Sequence, residues 1–212
     1  MGSSLIKYLV QGFQGPGGIF MWGILIIGMI GLAITCERAY YLLLKCGTGR
    51  GRFMADLLKI IKTGDYQKAI RYAAGHESPL AKIIMVILQS KEKGEKSINK
   101  AVDEVFLTEA PRIQRYTPLL VVVANVSTLV GLLGTIFGLI LAFDAVANVP
   151  AAQRAQALAT GISVAMATTA FGLTVAIPCL FANGILSTQT ERIVEEMDEK
   201  SAKMVNIITE ES

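Results

Sequence analysis

The segment that decides the fold is Tyr116–Phe143, which reads YTPLLVVVANVSTLVGLLGTIFGLILAF and contains no Asp, Glu, Lys or Arg. Two further segments share this property, Tyr8–Cys36 and Ala155–Thr190. A hydrocarbon core about 30 Å thick needs about 20 helical residues at about 1.5 Å each, so each segment is long enough to cross a membrane. The sequence therefore predicts an all-α integral membrane protein with three transmembrane helices, at residues 19–43, 119–143 and 161–186.

The composition excludes an ordinary soluble domain. Of 212 residues, 52% are hydrophobic and 17% are charged, whereas a soluble domain has about 25% charged residues. A chain of this length cannot surround three long apolar helices with its own polar segments. The three apolar segments are therefore not the buried helices of a soluble protein. The membrane spans must therefore be placed before any other feature is interpreted.

The charge distribution predicts the orientation of the spans. Fourteen Lys and Arg residues lie between Lys45 and Arg115, and positively charged loops stay on the cytoplasmic side. The N-terminal arm has only Lys7, and the connection 144–160 has only Arg154. We therefore expect a multi-pass membrane protein with its N-terminus outside and its C-terminus in the cytoplasm.

The segments outside the spans are also expected to be helical. Residues 1–18 mix apolar side chains with Lys7 and predict an interfacial amphipathic helix, although a frayed terminus is the alternative. Periodic apolar residues and turn residues divide 44–118 into short helices that form a cytoplasmic domain. Residues 144–160 form a short periplasmic connection, and 187–212 extend the third span as a cytoplasmic helix.

Residue patterns for enzymatic chemistry are absent from the sequence. The only histidine, His76, lies in an expected loop, and Cys36, Cys46 and Cys179 have no metal-ligand spacing. Phosphate-binding loops, dinucleotide fingerprints and nucleophile elbows are missing as well. We expect no enzymatic activity, no catalytic residue, no metal and no cofactor, and membrane lipid but no nucleic acid as a partner.

The second and third spans repeat one pattern of small and hydroxyl residues. Each set recurs at helical spacing, and the second follows the first after 34 residues. The members on the second span are Ser127, Gly131, Gly134, Thr135, Gly138 and Ala142, and those on the third are Gly161, Ala165, Thr168, Thr169, Gly172 and Ala176.

Thr135 and Thr169 each lie eight residues from the expected outer end of their span, so their hydroxyls should be level. Small residues permit close helix packing, and buried Thr hydroxyls can bond to the preceding turn. Polar side chains at matched depth can also line a hydrated path. Both interpretations stay open. The candidate ion-path residues are Thr135, Thr168, Thr169 and Ser163, and the candidate packing residues are Gly131, Gly134, Gly138, Gly161, Gly172 and Ala176.

Three stretches of the sequence resemble the ExbB/TolQ/MotA proton-channel family. They are GLLGTIFG at 131–138, ATTAFGL at 167–173 followed by Ala176-Ile-Pro178, and Glu37-Arg38-Ala39 at the end of the first span. The three-span layout is closer to the ExbB and TolQ branch than to the four-span MotA branch. Pro178, Glu37 and Arg38 are candidate structural residues, with Arg38 either anchored at the headgroups or paired with a neighbouring subunit.

The resemblance implies a homopentamer whose second and third spans surround the single membrane helices of an ExbD/TolR-like partner dimer. It implies a stator or channel subunit that couples proton or sodium flow to mechanical work, for outer-membrane transport, envelope maintenance or gliding-type motility. Thr135 and Thr169 match the pore threonines of the family.

Two departures from the family pattern affect the ion path. Val164 stands where ExbB-like members often have a membrane Glu, and Ser127-Thr128 replaces the usual Ala-Pro. Since no charged residue lies deep in any span, an ion path would depend on an acid of the partner. The alternative functions are a passive membrane scaffold without ion coupling and a solute transporter, which would need more spans and a midplane binding site.

Overall fold

The structure is a computed structural model that describes residues 12–13, 18–46, 50–91 and 94–210. The amphipathic helix expected over residues 1–18 lies mostly outside the described residues. The described part is helical, and its elements follow in this order: α1 (Gly18–Tyr40), a π-helical turn (Tyr41–Lys45), α2 (Arg50–Lys62), α3 (Tyr66–Ala74), α4 (Pro79–Gln89), α5 (Glu95–Gln114), α6 (Leu119–Ala147), a 3₁₀ turn (Ala151–Gln153) and α7 (Arg154–Glu210).

Within the described residues, three stretches of helix are long and apolar enough to cross a membrane, which confirms the prediction of an all-α protein with three spans. The expected span 19–43 corresponds to α1 with the π-helical turn, and the expected span 119–143 lies within α6. The third expected span is the interior of a much longer helix, because α7 continues for 57 residues and contains Pro178 without ending there. The C-terminal helix is thus an unbroken extension of the third span.

The described residues up to Cys36 and Tyr116–Gly184 form one compact unit, which contains most of the three apolar helices. Here α6 and α7 run antiparallel, joined by the turn at Ala151–Gln153. The first span packs against both helices at Gly31, where an added Cβ would lie 2.8 Å from the Cys179 sulfur and 2.9 Å from Val123 Cγ1. Many large apolar side chains, such as Ile26 and Phe181, stay more than half exposed, as expected of surfaces that contact lipid or other membrane helices.

Residues 37–115 and 185–212 form the second unit. Two of its helices begin at polar caps: at α3 the Asp65 carboxylate accepts from the Lys68 amide at 2.9 Å, and at α4 the Ser78 hydroxyl accepts from the Ala81 amide at 3.3 Å. Apolar side chains from α2, α4, α5 and the C-terminal part of α7 are fully buried. Among them are Leu57, Ile61, Ile83, Ile84, Ile87, Ile98, Met197, Met204 and Ile208.

The connection between α5 and α6 contains a strained residue. Tyr116 has a φ of 68°, in the left-handed region that a residue with a Cβ rarely adopts. Thr117 and Pro118 follow, and α6 begins at Leu119. Pro111, in contrast, lies inside α5. The helix is therefore interrupted around Tyr116, whereas Pro111 does not interrupt α5.

Candidate ion pathway between the second and third spans

The small faces of α6 and α7 meet each other within one chain. Ser127, Gly131, Gly134, Gly138 and Ala142 are buried on α6, and Ala165, Thr168, Gly172 and Ala176 are buried on α7. The pairing follows the antiparallel direction, with Gly131 against Thr168, Thr169 and Gly172 and with Gly138 against Ala165. The contacts of these faces that the structure describes lie within one chain.

Glycine allows the two backbones to touch. A Cβ added to Gly172 would lie 2.6 Å from the Ser127 carbonyl oxygen, and one added to Gly138 would lie 2.8 Å from Ala165 Cβ. A Cβ on Gly161 would overlap Ala142. Because these neighbours are backbone atoms or Cβ atoms close to the backbone, no rotamer change can make room. Close approach, not conformational freedom, explains glycine at these three positions.

Two threonine hydroxyls of α7 reach the same carbonyl oxygen of α6. Thr169 Oγ1 donates to the Gly131 carbonyl at 3.0 Å. Thr168 Oγ1 lies 3.3 Å from that oxygen and 2.7 Å from the Ala165 carbonyl of its own helix. Gly131 has no side chain to shield its carbonyl, so this oxygen is open to α7. The two helices therefore share a polar contact in a segment without charged residues.

Thr135 lies close to the level of this contact. In an α-helix the carbonyl of Gly131 points along the axis toward Thr135, four residues on. The Thr135 hydroxyl donates to the Leu132 carbonyl of its own helix at 2.6 Å, and the residue is only partly buried. The structure thus brings Thr135, Thr168 and Thr169 within about one helical turn of Gly131.

Burial differs among the four candidate ion-path residues. Thr168 is fully buried between α6 and α7, so in one chain its hydroxyl faces the neighbouring helix. Thr135, Thr169 and Ser163 are partly exposed. Ser163 lies more than one turn away from Thr168 along α7, toward the connection at 151–153. In a single chain, only the partly exposed residues can face a path outside the α6–α7 contact.

A cavity of about 510 Å³ lies between the ends of α6 and α7 nearest their connection. Its lining is mostly apolar and includes Gly138, Leu141, Ala145 and Val164, with Gln153 and Gln156 nearest the turn. Val164 occupies the position where the resemblance leads one to expect a Glu. Among the described residues, no carboxylate lines this cavity.

Ala176 and Pro178 lie one to two turns beyond Gly172 on α7. Ala176 packs with Val123, Ala124 and Cys179 in a small buried cluster. Pro178 has no backbone N–H, so the Thr174 carbonyl lacks its usual helical donor.

Gly134, the remaining packing candidate, faces Thr168, because an added Cβ would lie 2.8 Å from Thr168 Oγ1.

Sequence reasoning missed a buried charge cluster in the second unit. Glu109 is 4% exposed, and its Oε1 atom accepts from Lys82 Nζ at 2.9 Å and from Arg112 Nη1 at 3.0 Å. The i,i+3 spacing of Glu109 and Arg112 was available in the sequence. The pairing with Lys82, 27 residues away, had no sequence signal.

Arg38 contacts the same cluster from the end of the first span. It is 4% exposed, its Nε atom donates to Glu37 at 2.6 Å, and its Nη1 atom lies 3.4 Å from the Arg112 carbonyl. Its guanidinium carbon lies 5.1 Å from the centre of the Tyr41 ring. The sequence left anchoring at headgroups or pairing with a neighbouring subunit open, and the structure shows Arg38 packed inside its own chain.

Comparison with known proteins places these features in one family. Residues 75–199 match the model of the MotA/TolQ/ExbB proton channel family. The chain is 29% identical over 193 residues to a putative biopolymer transport protein ExbB homolog of Methanothermobacter thermautotrophicus, which covers 90% of this chain and 67% of the relative. It is 30% identical over 169 residues to a putative biopolymer transport protein ExbB-like 3 of Synechocystis, which covers 79% of this chain and 80% of the relative.

A Tol-Pal system protein TolQ of Haemophilus influenzae is 34% identical over 101 residues, which is 48% of this chain and 44% of the relative. The family match includes the end of α6 that carries Gly131 to Gly138 and the part of α7 that carries Thr168 to Gly172. The three apolar helices and these motifs agree with the family match. The chain therefore belongs to the MotA/TolQ/ExbB proton channel family, as an ExbB/TolQ-type multi-pass membrane protein.

Proposed function

We propose that this chain is the channel subunit of an inner-membrane stator that couples proton or sodium flow to mechanical work. Five copies surround the single membrane helices of an ExbD/TolR-like partner dimer, with N-termini in the periplasm and C-termini in the cytoplasm. The work serves outer-membrane transport, envelope maintenance or a gliding-type motility. The names of the ExbB and TolQ relatives support this proposal.

The observation that carries the proposal is the group of hydroxyls around the Gly131 carbonyl. Thr169 donates to this oxygen at 3.0 Å and remains partly exposed, and Thr135 lies close to the same level. An ion or a chain of water molecules crossing a bilayer needs such polar atoms, because unsatisfied polar groups are costly in hydrocarbon.

The chain needs a charged partner to move ions. Residues 116–143 and 155–190 contain no Asp, Glu, Lys or Arg, and Val164 lines the cavity between α6 and α7. Proton exchange at neutral pH requires a titratable group, which a Thr hydroxyl is not. A carboxylate on the partner helix, moving between wet and dry positions beside the threonines, supplies it.

The test is Thr169→Val in cells that also express the partner, with Thr174→Val as the matched control. Both changes replace a hydroxyl by a methyl on α7, but Thr174 Oγ1 bonds to the Ala170 carbonyl of its own helix at 2.8 Å and is exposed. We expect Thr169→Val to lose gradient-driven work while the complex still assembles, and Thr174→Val to keep it. Full gradient-driven work by a normally assembled Thr169→Val complex would reject the pore assignment and leave Thr169 as a packing residue.

A further inference from the structure

The helix that follows the first span has one cationic face. In α2, Phe53, Leu57 and Ile61 are buried in the second unit, whereas Arg52, Lys59 and Lys62 are exposed. These cations are spaced seven and three residues apart, which places them on one side of the helix. We name Arg52, Lys59 and Lys62 the α2 basic face.

Nearby acids neutralise this face only weakly. Lys59 Nζ lies 3.4 Å from Asp56, but the two side chains are 79% and 52% exposed, so water and salt screen the pair. Within the part of the chain that the structure describes, Arg52 and Lys62 have no ion pair. The result is a concentration of positive charge that attracts anionic surfaces.

The C-terminal part of α7 shows the opposite arrangement. Its cations Arg192, Lys200 and Lys203 each lie within 3.4 Å of a glutamate of the same helix. Cations on that surface are balanced locally and need no external partner. The α2 basic face therefore differs in charge balance from another exposed helix of the same unit.

Chain length keeps α2 near a bilayer surface. The first apolar stretch ends at Leu43, and α2 begins at Arg50, so the connection can span at most about 25 Å. Clusters of Lys and Arg directly after a membrane span attract anionic lipid headgroups. Because α2 is tethered to the membrane, the lipid is always present at high effective concentration.

We infer that the α2 basic face binds the phosphate groups of anionic phospholipids in the membrane that holds the first span. Arg52 and Lys62 are ten residues apart, a distance of about 15 Å along the helix axis, which is enough to contact more than one headgroup. The binding is electrostatic and orients α2 toward the bilayer surface. It involves no residue of the proposed ion path, so it does not depend on the proposed function.

The test is photo-crosslinking of the full-length chain in vesicles of phosphatidylcholine and phosphatidylglycerol. Trace amounts of either lipid carry a photoreactive group near the headgroup, and mass spectrometry counts adducts on the α2 peptide. We expect phosphatidylglycerol adducts to exceed phosphatidylcholine adducts by about fivefold or more. The ratio of phosphatidylglycerol to phosphatidylcholine adducts should fall to about one in the triple variant R52Q/K59Q/K62Q. It should also fall to about one in about 1 M salt, where the Debye length is about 3 Å.

The matched control is K96Q/K100Q, which removes two exposed cations from α5 and should leave the α2 adducts unchanged. Equal adducts from the two lipids in the wild-type chain would overturn the inference. An excess that survives in R52Q/K59Q/K62Q would also overturn it, because the lipid would then be held by other residues. All substituted side chains are exposed, so the variants should fold as the wild type does.

Discussion

Gly172→Ala should disrupt the contact between α6 and α7, because the added Cβ would lie 2.6 Å from the Ser127 carbonyl oxygen. Ordinary contact begins at 3.4 Å, so the two backbones must separate by about 0.8 Å. Overpacking of this kind costs about 1–3 kcal/mol. The separation would also stretch the 3.0 Å bond from Thr169 to Gly131, at a cost of about 0.5–1.5 kcal/mol.

Gly184→Ala provides the matched control in the same helix. A Cβ at Gly184 meets no atom within 4 Å, and alanine has the higher helix propensity by about 1 kcal/mol. This propensity gain applies to both variants. We therefore expect Gly184→Ala to be more stable than wild type by about 1 kcal/mol. Gly172→Ala should be less stable by about 0.5–3.5 kcal/mol, which is the sum of the overpacking cost and the cost of the stretched bond less the propensity gain.

The assay is thermal unfolding of the intact chain in detergent, followed by a thiol-reactive dye that reports exposure of buried cysteines. Cys179 is 6% exposed and Cys46 is 1% exposed, so both become reactive as the helices separate. Exposed Cys36 sets the baseline. Unfolding of Gly172→Ala at the same temperature as Gly184→Ala, or above it, would contradict close packing at Gly172.

Two further predictions concern residues outside this contact. Glu109→Gln should destabilise the second unit by about 1–3 kcal/mol, because the buried carboxylate that binds two cations is lost; the cost is limited since Lys82 is partly exposed to water. Chemical denaturation should show a much smaller effect for Glu196→Gln. Equal effects of the two substitutions would contradict the assignment of a buried cluster. Tyr116→Gly should raise the free energy of unfolding by about 0.5–1 kcal/mol, because glycine adopts the left-handed backbone without strain. Tyr116→Ala should give no such increase. An equal increase in both variants would exclude backbone strain at this position.

The sequence predicted the three spans because the absence of charge over more than 20 residues leaves few alternatives in a short chain. Short helices within residues 44–118 were also expected from turn residues, and α4 begins at Pro79 directly after the cap Ser78. The small faces were visible as a helical repeat of Gly, Ser and Thr. Which surface they contact was not visible, since a small residue permits close packing with a helix of the same chain or of a copy equally well.

Details of the polar contacts depended on tertiary structure. Thr168 and Thr169 are adjacent in sequence and share the same depth, but only the structure shows that Thr168 is fully buried and Thr169 partly exposed. The Glu109–Lys82 pair joins α4 to α5 over 27 residues, and no local pattern encodes such a pair. Arg38 looked like a headgroup anchor because it ends an apolar span, yet the carbonyl of Arg112 lies beside it.

Ion flux through the purified complex of this chain and its single-span partner tests the central claim most directly. The complex is reconstituted in vesicles, and proton and sodium gradients are imposed in turn while flux is followed with ion-sensitive dyes. We predict flux for one of the two ions that requires both proteins, stops in Thr169→Val and continues in Thr174→Val. Flux no greater than that of protein-free vesicles under both gradients would contradict the account and leave the chain as a membrane scaffold.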